Sequence, residues 1–404
     1  MSTTNPDTVV TTDVAIVGAG PAGLMAAHLL HRAGVSSVAI DLRSREEIEA
    51  THRAGILEAE AARLLVDSGV SDRILRDGHE HEGTILRFGG RSHRIHFKAL
   101  VGESVWLYPQ QDVFIDLADA RARDGGDVRF GVGDVTVDGI DTEQPTVQFT
   151  EADGTPVKVS AKYVIGSDGS RSTCRDLVPE EHRIRRYREY PFAWFGILAE
   201  APVSSPELIY CNSDSGFALI SQRTATVQRM YFQCDPTEDV GAWSDERIWE
   251  RLQASLAGDD GFRLHEGPVI QKSVLPFRSF VQEPMRWGRL LLAGDAAHTV
   301  PPTGARGLNL AIHDVRILAD VLVRAMAARD DSVLDEYARR ALERVWRAQN
   351  FSYWMTQMLH LPPDGSDFDR RRQLGELENL VSTRAGQVYL AEQYTGWPTQ
   401  GQEG

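Results

Sequence analysis

A strand-to-helix turn near the start of the chain limits the folds open to it. Asp13–Val17 (DVAIV) is a short apolar strand that runs into Gly18-Ala19-Gly20-Pro21-Ala22-Gly23, followed by an apolar helix ending near Gly34. Val38–Leu42 (VAIDL) reads as a second buried strand. Two strands joined through a helix form a crossover unit, which predicts a parallel sheet. Gly18 permits the tight turn, Gly20 lets the backbone approach a pyrophosphate, and Gly23 lets the helix pack closely on the strand. The free N–H groups at the helix start, with its positive dipole end, suit phosphate. Asp41 ends the second strand, where a carboxylate can bond ribose hydroxyls. Together these features predict a dinucleotide site, although the turn alone does not separate a nicotinamide from a flavin nucleotide.

The rest of the chain predicts a mixed fold. Ile56–Val66 carries a helical pattern, and short alternating runs fill the region from Gly83 to about Gln233, among them Leu208–Tyr210, Phe217–Ser221 and Arg229–Gln233. These runs read as antiparallel strands. Arg289–Ala293 is another buried strand, before a long helix with Leu308, Ile312, Val315, Leu318 and Leu322 spaced three or four apart. Ser332 is the expected cap of the next helix, and the last hundred residues read as mostly helical. Met1–Thr12 reads as a loose polar tail without the basic and apolar regions of a signal peptide.

Composition narrows the function. The 404 residues are enough for two or three domains, and the formal net charge of -15 argues against a nucleic-acid partner. Cys174, Cys211 and Cys234 have no metal-ligand spacing, so no metal site is expected, and they suit a reducing cytoplasm. No apolar run reaches the roughly 18 residues needed to cross a membrane.

Two later segments carry the identification further. Val164-Ile165-Gly166-Ser167-Asp168-Gly169 is a strand leading to an acidic-glycine turn. Leu291-Leu292-Ala293-Gly294-Asp295-Ala296-Ala297-His298 is a strand ending in Gly-Asp. In this order the three motifs resemble the flavoprotein aromatic hydroxylases. That resemblance implies an α/β (α+β mixed) fold, in which a Rossmann-like FAD-binding domain interleaves with an antiparallel-sheet substrate domain and a C-terminal helical region. The expected boundaries are 10–184, 185–283 and 284–404. It also implies bound FAD, held by Gly18, Gly20, Gly23, Asp41, Asp168, Gly294 and Asp295, and NADH or NADPH as the reductant. Arg53, Gln110, Arg229, Leu308 and Asn309 match family positions near the flavin.

On the substrate side, Ser221 and Arg223 lie two apart and so point to one face of a strand. An arginine fork with the hydroxyls of Ser221 and Tyr231 makes a good clamp for a carboxylate. Taken singly, Tyr210 and Tyr231 read as ordinary strand residues and Arg223 as a surface charge. In order and spacing, Glu207–Tyr210, Phe217–Arg223, Arg229, Tyr231, Pro301–Asn309 and Ala391–Tyr394 resemble the branch of the family that hydroxylates 4-hydroxybenzoate beside its phenol. The resemblance implies that Tyr210 bonds the phenol and passes its proton towards Tyr394 and His81, with the Pro302 carbonyl facing the same oxygen. O2 is then a co-substrate, the product is 3,4-dihydroxybenzoate, and a homodimer is expected. Hydroxylation of another benzoate, oxidase or dehydrogenase activity, and a non-catalytic flavin-binding role are the alternatives.

The chain departs from the family after Asp41. Glu47 and Thr51 stand where the best-known members carry an aromatic and an arginine that favour NADPH. A carboxylate there repels a 2′-phosphate, which predicts NADH use, while Arg43 and Arg45 pull the other way. Position 171 is Arg where the family has His, and Arg278 matches a family nucleotide-binding arginine.

Overall fold

The computed structural model describes residues 8–51 and 55–397. A six-stranded sheet, in the order Arg286–Trp287, Leu290–Leu292, Tyr163–Gly166, Val14–Val17, Ser37–Asp41 and Asp127–Phe130, underlies the glycine turn. Its five strands from Leu290–Leu292 to Asp127–Phe130 are parallel. Burial is complete along Val14–Val17 and Tyr163–Gly166, because helices cover a parallel sheet on both faces. Helix Pro21–Arg32 packs on helix Arg306–Ala328 above it. The chain passes from Val14–Val17 to Ser37–Asp41 on one side and returns to Tyr163–Gly166 on the other. The strand order therefore reverses beside Val14–Val17, and the crevice at the carboxyl ends there is where such sheets bind ligands.

An eight-stranded sheet forms the second body, in the order His298–Thr299, Val269–Glu283, Ile184–Glu200, Val227–Cys234, Gly216–Thr224, Ile209–Ser213, Gly83–Phe88 and Arg91–His96. Alternation gives it two apolar faces. Phe195, Ile197, Ile220, Met230 and Phe232 pack against Ile248, Trp249, Leu252 and Leu256 of helix Asp245–Leu256. The opposite face, with Trp194, Tyr210, Phe217, Leu219 and Tyr231, meets Phe351, Met355, Leu390 and Tyr394 of the C-terminal helices. Strands Gly83–Phe88 and Arg91–His96 come from early in the chain yet complete this sheet, so the two bodies interleave.

Three local expectations are corrected. The polar tail contains a strand, Thr8–Thr11, paired in parallel with Pro156–Ser160. Ile56–Val66 is not helical throughout: Ile56–Glu58 is a strand paired with Val105–Leu107, and the helix runs Ala59–Asp67. Asp330, not Ser332, caps the turn before helix Asp335–Leu359, its carboxylate accepting the Ser332 amide at 2.9 Å. Among the described residues no helix is long and apolar enough to cross a membrane, and no group of His, Cys, Asp or Glu is placed to hold a metal.

Candidate active site

The three sequence motifs converge at the carboxyl ends of adjacent parallel strands. Gly18 follows Val14–Val17 with φ +100°, and a Cβ there would lie 2.3 Å from the Ser167 carbonyl. A Cβ on Gly23 would lie 1.9 Å from the Gly18 carbonyl, so the helix can approach only without one. Gly20 differs: beyond its own chain neighbours, nothing in the protein lies within 4 Å of where its Cβ would be. That bare backbone opens the helix Pro21–Arg32, whose N-terminus has no side-chain cap. Its amides therefore remain available to an anion.

Around this turn the acidic residues differ in state. Asp41 accepts the Ala19 amide at 3.0 Å and the Arg43 amide and guanidinium at 3.0 and 3.2 Å. One oxygen of Asp168 receives the Thr173 and Cys174 amides at 2.8 and 3.1 Å, while its Oδ1 is buried without a partner. The Gly294–Ala296 turn, which carries Asp295, is held by Asp314, whose carboxylate binds the Gly294 amide at 2.9 Å and His298 at 2.6 Å. Helix Arg306–Ala328 also begins without a side-chain cap, beside an open Gly307 and a half-buried Leu308. Asn309 fixes this loop by accepting the Glu58 amide at 2.9 Å and donating to the Ile56 and Ala305 carbonyls. Two uncapped helix starts, a bare glycine and an orphaned buried carboxylate oxygen fit the phosphates and hydroxyls of FAD. Arg53 lies outside the described residues.

The substrate-side residues share one face of the eight-stranded sheet. Tyr210 lies opposite Leu219, Leu219 opposite Tyr231, and Ser221 opposite Arg229. The Tyr210 row and the Ser221 row are two residues apart, about 7 Å along the strands. At the far end, Arg223 donates to the Gln111 side-chain carbonyl at 2.9 Å. Arg229 lies 5.4 Å from the Tyr231 ring centroid, and its Nη1 is buried without a partner. Among the described residues neither arginine is ion-paired to a carboxylate. Burial, reinforced by Arg229, lowers the Arg223 pKa. This end of the sheet face is a positively charged patch, and its orphaned donor suits an anion. The Ser221 hydroxyl donates to the Arg229 carbonyl at 2.9 Å and keeps its lone pairs.

The other end is built from hydroxyls. Tyr210 and Tyr394 are 1% and 3% exposed, and their oxygens are 2.9 Å apart. Burial pushes the Tyr210 phenol up to about 12, opposed by its bond to Tyr394 and by the Gly304 amide. Pro302 is half-buried in the adjoining loop, where its carbonyl accepts the Ala305 amide at 3.0 Å. His81 is buried on strand His79–His81, and burial lowers its pKa. No direct hydrogen bond joins it to Tyr394 among the described residues, and Phe97 stacks on Tyr394 at 5.0 Å.

Gln110 starts helix Gln110–Arg123, but the residue that reaches Arg223 is its neighbour Gln111, which residue types alone do not single out. The phase of that first turn decides which glutamine faces the sheet, and a pattern of residue types does not carry it. Near the nucleotide side, the Glu47 carboxylate accepts the Ser44 amide at 2.8 Å as a helix cap, and the Thr51 hydroxyl bonds the Glu47 carbonyl at 2.9 Å. Arg45 bonds Glu49 at 2.6 Å and Asp119 at 2.5 Å. Arg278 is exposed, and Arg171 lies in a small cavity with Arg175 and Arg185.

Comparison with known proteins agrees with this geometry. The model of the FAD binding domain family matches residues 11–352. The p-hydroxybenzoate hydroxylase of Acinetobacter baylyi is 41% identical over 389 residues, covering 96% of each chain. The 3-(3-hydroxy-phenyl)propionate/3-hydroxycinnamic acid hydroxylase of Mycolicibacterium smegmatis is 31% identical over 80% of this chain and 57% of its own. In fold, the crystal structure of p-nitrophenol 4-monooxygenase from Pseudomonas putida DLL-E4 superposes with a TM-score of 0.81 at 20% identity, covering 97% of this chain and all of that one. The chain belongs to the FAD-binding family of flavoprotein aromatic hydroxylases, the flavin-dependent monooxygenases of aromatic rings.

Proposed function

We propose that this enzyme hydroxylates 4-hydroxybenzoate at carbon 3, giving 3,4-dihydroxybenzoate and water, with NADH favoured over NADPH as the reductant. The observation that carries this reading is the polarity of one sheet face. Arg223 and Arg229, neither ion-paired to a carboxylate among the described residues, stand at one end, and the Tyr210–Tyr394 hydroxyl pair stands at the other. The 41% identity to a p-hydroxybenzoate hydroxylase supports it.

Bound FAD would supply electron transfer and oxygen activation. It would be held by the Gly18–Gly23 turn, Asp41, Asp168, the Gly294–Asp295 turn and the start of helix Arg306–Ala328. Arg223 then orients the benzoate carboxylate with Ser221 and Tyr231, using a charge-assisted pair of hydrogen bonds. That places the phenol oxygen at Tyr210. A phenolate donates more electron density to its neighbouring ring carbon than a phenol does. Hydrogen bonds to the charged oxygen favour ionisation, and Tyr210 with Tyr394 behind it accepts and relays the proton. His81 is the relay's further proton acceptor by the family resemblance, and its burial, which favours the neutral ring, leaves it able to take one. The buried pocket walls, including Leu219, Phe217 and Tyr231, keep bulk water from the reacting carbon.

The NADH preference rests on the Glu47 carboxylate near the expected adenosine ribose and on Arg45 being bound to two acids. A panel of substrates tests the reading. 4-Hydroxybenzoate is expected to give the highest kcat/KM, with 4-hydroxybenzyl alcohol, which lacks the carboxylate, and 3-hydroxybenzoate, which misplaces the hydroxyl, far below. Equal turnover of the alcohol would overturn the arginine assignment.

A further inference from the structure

The loop that carries Pro302 leads into Arg306, a side chain that is 1% exposed. Its Nη1 pairs with the buried Glu58 carboxylate, while Nε and Nη2 are buried without hydrogen-bond partners. The guanidinium is instead enclosed by two aromatic faces, Phe351 at 4.8 Å and Trp397 at 4.9 Å. A cation between rings is held by their quadrupoles where hydrogen bonds are lacking.

Trp397 is fixed from several sides. Arg347 approaches its ring at 5.2 Å, and Arg344 donates to its carbonyl at 3.0 Å. Gly396, at φ +100°, lies so close to Glu58 that a Cβ would sit 2.0 Å from its Oε2. Tyr394 is in the same last turn, at the end of helix Arg384–Thr395. Phe351 also meets the Tyr394 ring, edge-on at 6.2 Å.

We propose that Trp397 is a positioning residue that holds the Arg306 guanidinium, and with it the turn bearing Tyr394, against the phenol end of the pocket. Among the described residues, the charged and titratable groups around Arg306 are Glu58 from its strand, His313 on its own helix, Arg344 from helix Asp335–Leu359, and the Tyr210 and Tyr394 hydroxyls, with Arg347 beyond the Trp397 ring. Glu60 pairs with Arg316 behind them. Removing the indole would let water reach a guanidinium that now acts through a dry medium, and would free the turn that fixes Tyr394. Both changes weaken stabilisation of a charged phenol oxygen.

The proposal rests on the phenolate reading above, and its test separates the two. The flavin-loaded protein is titrated with 4-hydroxybenzoate across pH, following phenolate absorbance, in wild type, Trp397→Phe and Trp397→Ala, alongside kcat, KM and the thermal midpoint. Trp397→Ala is expected to raise the pKa of the bound phenol by roughly half a unit or more. Its kcat at neutral pH should fall roughly tenfold with KM within about twofold. Trp397→Phe, which keeps a ring face, should restore most of both. A wild-type phenol pKa in Trp397→Ala overturns the proposal, as does Trp397→Phe behaving like Trp397→Ala. If Trp397→Ala does not fold, Trp397→Leu replaces it, because it keeps apolar volume without a ring face; an unshifted pKa there has the same consequence. If the wild type itself ionises no phenol on binding, the reading of the pocket fails instead.

Discussion

Arg223 is held by the neutral Gln111 rather than by an acid, so its charge is available to a ligand. Replacing it with alanine removes a charge-assisted contact of about 2–3 kcal/mol. The Kd for 4-hydroxybenzoate, measured by flavin absorbance titration, should rise roughly thirty- to hundred-and-fifty-fold. Arg223→Lys should recover little of this, since an ammonium does not reproduce the planar fork. Tyr394→Phe acts at the other end. It takes away the bond that favours the charged form of the phenol, so the pH optimum of kcat moves upward while substrate Kd changes little. At neutral pH kcat should fall roughly a hundredfold, the loss expected for a proton-transfer partner. Glu58 makes a stability prediction. Burial would raise its pKa, but Arg306 and His313 hold it down to about 2. A carboxyl depressed in the fold contributes stability above its ordinary range, and that contribution fades as pH falls towards the depressed value. Glu58→Gln should therefore flatten the acid limb of the Tm–pH curve between roughly pH 4.5 and 2. At neutral pH it should destabilise by about 3 kcal/mol, as breaking a buried pair does.

Among the elements, the glycine turn separates packing from binding. Gly18→Ala drives a Cβ into the Ser167 backbone from a left-handed φ, so both Tm and flavin content should fall. Gly20→Ala meets no protein atom and should leave the apoprotein Tm unchanged, yet lower flavin retention, because its Cβ points where a pyrophosphate would approach. An unchanged flavin absorbance per protein in Gly20→Ala would contradict that placement. This turn was legible in the sequence because its strand, glycines and helix are contiguous and set by local backbone needs. The alternating runs around Tyr210, Ser221 and Tyr231 were legible for the same reason, since period two fixes their faces. Thr8–Thr11 and Ile56–Glu58 were not, because each becomes a strand only through partners far along the chain, at Pro156–Ser160 and Val105–Leu107. Gln111 and Trp397 escaped likewise. Their significance lies in Arg223 and Arg306, which only the tertiary fold brings to them.

At the scale of the whole molecule, a chain of net charge -15 places Arg223 and Arg229 side by side on one half-buried sheet face, neither ion-paired to a carboxylate among the described residues. The resemblance of ordered motifs pointed to the family, and residue types at Glu47 and Thr51 pointed to NADH, but the bonds that engage Arg45 with Glu49 and Asp119 come from the tertiary fold. With Glu47 capping its helix and Arg45 bound to Glu49 and Asp119, kcat/KM should be higher with NADH than with NADPH in steady-state assays. Higher kcat/KM with NADPH would refute the preference. The proposed hydroxylation requires this face to grip a carboxylate at one end of an aromatic ring and ionise a hydroxyl at the other. The most direct test is mass spectrometry of the product made from 4-hydroxybenzoate and NADH under oxygen-18 gas. The expected product is 3,4-dihydroxybenzoate carrying one heavy oxygen atom. NADH consumption that yields only hydrogen peroxide, with the benzoate unchanged, would contradict it.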